Sequence, residues 1–149
     1  MTRRRIVFTT GDLMRRLGVT ARQIQYWDED GLLHPSNYTD RASTRKRGFS
    51  PRLGPREYTP DEALEMGLLA ALRARRMYGR KLRDTLADLR KLAREEKSRY
   101  FIVTPAGRAA GCDTAEETLA VFAQIRAPGF LIDFDEVRRR VAGERTKRG

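Results

Sequence analysis

Between Thr9 and Leu33 the chain has room for two short helices joined by a tight turn, and for little else. Thr9 stands three residues before Asp12 and Thr20 three before Gln23. This is the Thr-x-x-acid/amide spacing in which a threonine hydroxyl and a downstream side chain cap each other's backbone N–H groups. Leu13 and Leu17 fall on one face of a helix from about Thr10 to Leu17, Gly18 stops it, and only Val19 and Thr20 precede the next. That second helix, TARQIQYWDED, puts Ile24 and Trp27 on one side and Arg22 and Gln25, with Gln23 beside them, on the other, until Gly31 ends it. Two short helices across a Gly-containing turn make a helix-turn-helix, and Leu32 and Leu33 close its core.

A third box, Thr59 with Glu62 and Pro60 at the first helical position, opens a helix to about Arg76 that carries Leu64, Leu68 and Leu72 at four-residue intervals. Met77-Tyr78-Gly79 breaks it. A fourth helix, from Arg80 to about Lys97, bears an a/d-like stripe of Leu82, Leu86, Leu89 and Ala93, long enough to pack on a body or to join a dimer seam. From His34 to Glu57 there is no helical period; three prolines, two glycines and six Lys/Arg against two acids read as an extended basic hairpin or loop.

Beyond the fourth helix the pattern changes. Tyr100 to Val103 reads as a strand, Pro105-Ala106-Gly107 as a turn and Arg108 to Cys112 as a possible second strand. Asp113 or Thr114 caps a helix to about Gln124, Phe130 to Ile132 is a third strand, and Asp133 with Glu136 starts a last helical stretch. The expected fold class is α+β and mainly helical, an N-terminal helix-turn-helix followed by a small β-β-α-β domain. The expected division is residues 1–97, residues 98–142 and a frayed polar tail over 143–149.

Charge narrows the function. The formal net charge is +11, and residues 1–58 hold +6 of it and residues 59–97 hold +3, while 98–142 balance. A basic excess of this kind meets a polyanion. The longest apolar run near the start, Ile6-Val7-Phe8, is too short for a signal-peptide core or membrane span, so a cytoplasmic protein with no membrane partner is expected. One histidine, His34, and one cysteine, Cys112, lie far apart in the chain and offer neither a metal set nor a Cys-His pair. Cys112 reads as a small packed thiol, and Asp133, Asp135 and Glu136 as a helix start. With no Gly-rich phosphate loop or nucleophile elbow, no enzyme, cofactor or metal site is expected.

The run FTTGDLMRRLGVTARQIQYWDEDGLL, followed by GPREYTPDEALEM, resembles the DNA-binding domain of MerR-family transcription regulators over roughly residues 7–92. Tyr26-Trp27, Gly31-Leu32-Leu33 and Arg56-x-Tyr58 carry most of the likeness. The downstream GCDTAEETLAVF is similar to an actinobacterial-type subgroup with a compact C-terminal domain in place of a long coiled coil. The resemblance implies a winged helix-turn-helix, a homodimer on near-palindromic double-stranded DNA, nucleoid association, and RNA polymerase as a further partner. It places Thr20, Arg22, Gln25 and Tyr26 on recognition-helix positions that touch DNA, and Arg56 and Tyr58 on the wing. Gln25 stands where many relatives have Arg, Pro55 replaces an aromatic, and the stretch from His34 to Leu53 is longer than a typical wing.

Chemistry supports these roles. A guanidinium pairs with guanine and an amide with adenine in bidentate fashion, which suits Arg22 and Gln25 to base reading. Gln23 is also counted in the interface, though its capping role explains it. Arg41, Arg45, Lys46, Arg47, Arg52 and Arg56 suit phosphate or minor-groove contact. Trp27 is assigned to packing. For dimerisation the candidates are Leu82, Leu86 and Leu89 on the fourth helix and Phe101, Val103, Phe130 and Ile132 in the C-terminal domain, where Leu119 and Phe122 would join a compact core or a shared interface; that domain could instead bind a protein partner or something small. An architectural DNA-bending or recombination accessory role is the alternative to regulation.

Overall fold

In the computed structural model, which describes residues 6–35, 56–96, 98–125 and 129–144, Thr9 Oγ1 accepts the Asp12 N–H at 3.1 Å and the Asp12 carboxylate accepts the Thr9 N–H at 3.2 Å. The Thr9 N–H holds the Asp12 carboxyl below its ordinary value, because it bonds to the charged form. The helix so opened, α1 (Thr10–Leu17), ends on Gly18 with φ +68, a left-handed conformation that glycine adopts without strain. Helix α2 (Ala21–Glu29) starts on the second box, with Thr20 and Gln23 bonding reciprocally at 3.1 and 2.9 Å. It ends in a Schellman turn: Gly31, at φ +74, donates to the Asp28 carbonyl and Leu32 to the Trp27 carbonyl.

Strand β1 (Phe8–Thr9) pairs antiparallel with β2 (Glu57–Tyr58), Phe8 opposite Tyr58. The third box, Thr59 with Glu62, opens α3 (Pro60–Ala74). The described residues pack as two units, one of 6–35, 56–70 and 140–144, the other of 71–96, 98–125 and 129–139. In the first, Leu13, Leu17, Val19, Ile24, Trp27, Leu32, Leu33, Tyr58, Met66 and Leu69 are buried together with little polar company.

The second unit contains α4 (Gly79–Lys91), a π-helical turn over Leu92–Glu96, strands β3 (Tyr100–Val103) and β4 (Ala109–Cys112), α5 (Ala115–Gln124), β5 (Phe130–Asp133) and most of α6 (Phe134–Val141). The helix that sequence analysis attached to the N-terminal segment is thus counted with the sheet. The three strands are antiparallel in the order β4-β3-β5, with Phe101 opposite Gly111 on one side and Ile132 on the other. Being central, β3 buries Phe101, Ile102 and Val103 on both faces. Buried Thr85 of α4 donates to the Gly107 carbonyl at 2.7 Å, and the Asp88 carboxylate accepts the Ala109 N–H at 3.2 Å, tying α4 to the β3–β4 hairpin. Thr114 caps α5, and Asp133 Oδ1 accepts the Asp135 N–H at the start of α6.

The proposed dimer residues need correction. Leu82, Leu86, Leu89, Phe101, Val103 and Ile132 are buried within a single chain, so a second copy cannot also pack on them. Phe130 is half-buried, its ring under the Arg75 guanidinium at 5.3 Å. Leu119, expected in the core or at a shared interface, is 70% exposed and so outside the core, because α5 turns Thr118 inward instead.

Candidate nucleic-acid interface

A helix that reads a partner must be held rigidly by one face and bare on the other. On α2, Ile24 and Trp27 are each 1% exposed and fix the inward face. Arg22, Gln25, Tyr26 and Glu29 follow at i, i+3, i+4 and i+7, so they form one stripe, and all four are exposed, Tyr26 to 58%. The stripe is basic at its N-terminal end and acidic at its C-terminal end. Gln25 Nε2 donates to Glu29 Oε1 at 2.9 Å, a surface bond that must open before the amide pairs with a base edge.

Thr20 and Gln23 reach the same end of α2 but are engaged in the capping box, and Gln23 is half-buried. Thr20 Oγ1 and Gln23 Oε1 are already used in setting the helix start. Arg41, Arg45, Lys46, Arg47 and Arg52 lie outside the described residues.

Two residues assigned to the wing sit differently from expectation. Tyr58 is 0% exposed, because the β1–β2 register points it into the core while Glu57 takes the solvent side, so its hydroxyl presents nothing to DNA. Burial pushes the phenol well above its ordinary value, since the phenolate would lose its hydration. Arg56, read as a phosphate or minor-groove contact, has a side chain only 11% exposed and lies with Nε 3.5 Å from Asp28 Oδ2. Asp28, which sequence reasoning did not single out, has a fully buried carboxylate that also lies within hydrogen-bond distance of His34 Nδ1, at 2.8 Å. Its place four residues after Ile24, on the same inward stripe, was the available signal.

Other chemistry is sparse. No group of three or more His, Cys, Asp or Glu among the described residues could hold a metal ion. Asp133 and Asp135 both lie beside the Arg99 guanidinium, at 3.7 and 3.3 Å. Cys112 is buried, and loss of hydration pushes its thiol up, with a hydrogen bond to Thr118 pulling weakly the other way. A raised thiol stays protonated at neutral pH. Cys112 is therefore expected to react with a disulfide reagent at pH 7 at least about tenfold more slowly in the native chain than in the denatured one; equal rates would show it accessible.

No helix among the described residues is long and apolar enough to cross a membrane. No curated protein matches the chain. Residues 9–41 match the family described as MerR family regulatory protein, a stretch that begins at the capping Thr9 and takes in α1, the turn and α2.

Proposed function

We propose that the chain is a sequence-specific transcription regulator that binds a near-palindromic operator in double-stranded DNA as a homodimer, with α2 as the recognition helix of a winged helix-turn-helix. The observation that carries this reading is the stripe of Arg22, Gln25 and Tyr26, bare on a helix whose other face is locked by Ile24 and Trp27. Arg22 and Gln25 read base edges, Tyr26 contacts a phosphate, and the basic residues from Arg41 to Arg52 add phosphate contacts. Thr20 and Gln23 present the first turn of α2. RNA polymerase is a further partner in this reading, and the setting is the cytoplasm.

Selection of duplexes from a randomised pool, near about 150 mM salt with excess competitor, tests it. An enriched inverted repeat supports a sequence-specific dimer. Binding without any motif replaces regulation by an architectural, DNA-bending role.

Arg22→Ala is the clean variant, since Arg22 is exposed and removes no packing. It should weaken binding to a selected site by about 1–3 kcal/mol, roughly 5- to 150-fold, at unchanged thermal stability. Native affinity in this variant would move base reading off Arg22. Arg56→Ala would not be clean in this sense, because the loss of Arg56 also leaves Asp28 short of a cation.

A further inference from the structure

Asp28 is a carboxylate where the packing calls for an apolar side chain. It sits on the inward stripe of α2 beside Trp27, and its side chain has no exposure. A buried charge is costly to desolvate, and an apolar residue of similar size often packs there at no loss of stability. Something other than packing therefore accounts for the acid.

Its two partners supply the reason. His34 Nδ1 lies 2.8 Å from Oδ1, within hydrogen-bond distance, while Arg56 Nε approaches Oδ2 at 3.5 Å. In the chain, His34 and Arg56 stand on opposite sides of residues 36–55, whose sequence holds Arg41, Arg45, Lys46, Arg47 and Arg52 against the single acid Asp40. One buried group on α2 thus anchors the backbone on both sides of that basic stretch.

We infer that Asp28 is a positioning residue for DNA binding: by holding His34 and Arg56 it fixes where the basic stretch leaves and rejoins the body, relative to the stripe of Arg22, Gln25 and Tyr26. The inference rests on the DNA-binding reading above. Fixed anchor points raise the effective concentration of the five cations at the phosphates beside the helix; loosened ones lower it without removing a single Lys or Arg of that stretch. Each phosphate left without a cation makes the fall of log affinity with log salt shallower by about 0.9.

The test titrates Asp28→Asn, Arg56→Gln, the double variant and His34→Gln against a mixed-sequence duplex a few helical turns long. Several salt concentrations are used, and only variants that melt cooperatively above the assay temperature are compared. All are expected to show a salt slope shallower by about 2 or more and affinity down at least about tenfold near 150 mM salt, the double variant no worse than either of its single changes. Asp28→Glu, which keeps the charge, should recover part of the slope. A folded Asp28→Asn protein with native slope and affinity overturns the inference. So does a loss confined to Arg56→Gln, which would make Arg56 a direct phosphate contact. If Asp28→Asn does not fold, His34→Gln decides, because it removes no Lys or Arg: a flattened slope supports the clamp and a native slope overturns it. A native chain that binds no duplex overturns the DNA-binding reading and this inference with it, whereas native binding with unaffected variants removes the inference alone.

Discussion

Phe101→Asp is expected to unfold the second unit. Phe101 is 0% exposed on the central strand β3, its ring 5.1 Å from that of Phe134 at a tilt of 44°. Truncating a buried phenylalanine costs about 3–5 kcal/mol, and an unpaired buried carboxylate adds several more. A domain has only about 5–15 kcal/mol in total. The two losses together leave no appreciable folded fraction at neutral pH, where the new carboxyl would be ionised in water. Circular dichroism melting and size-exclusion chromatography check this: the expected result is loss of the cooperative transition of residues 71–139 with an expanded or aggregated chain. Compact, folded monomers in its place would return Phe101 to a dimer interface and would mean that its burial within one chain is dispensable.

That prediction differs from what the sequence suggested, and the difference has a physical cause. An apolar stripe such as Leu82, Leu86 and Leu89 records that a face is buried, not what buries it. A dimer seam and a chain's own core write the same periodicity, so only the packing of α4 with the β3–β4 hairpin through Thr85 and Asp88 decides between them. Local signals were legible because their partners lie within one turn. The boxes of Thr9, Thr20 and Thr59 each bond within three residues, and the inward turn of Ile24 and Trp27 follows from helical spacing alone. The strands at Tyr100–Val103 and Phe130–Asp133 were legible as short apolar runs bounded by turn residues. Long-range choices were not. Which of Glu57 and Tyr58 points inward depends on a two-residue pairing with Phe8 and Thr9, far away in the sequence. The same holds for Asp28, whose partner Arg56 comes from beyond the basic stretch, and the exposure of Arg56 was misjudged because that partner could not be seen locally. Whether Leu119 joins the core was not legible because α5 is apolar on more than one side, so composition did not pick out its inward face.

Trp27→Ala should abolish DNA binding more completely than Arg22→Ala, although Trp27 is 1% exposed and faces away from the proposed DNA surface. Helix α2 has nine residues, and isolated helices shorter than about 12–15 residues are marginal in water, so it persists only through what its inward face packs against. Trp27 is the largest part of that face, and its carbonyl also accepts the Leu32 and Leu33 N–H groups that turn the chain out of the helix. The expected cost is about 3–5 kcal/mol, set by lost burial and the cavity left behind. Amide hydrogen exchange on the free protein should show protection falling across 21–33, while affinity for a selected duplex drops below what loss of one base contact explains. Trp27→Phe, which retains an aromatic ring, should recover much of both. If Trp27→Ala kept native protection and native affinity, α2 would be held by Ile24 and the capping box alone, and the argument that a bare stripe is readable only because its other face is locked would fail.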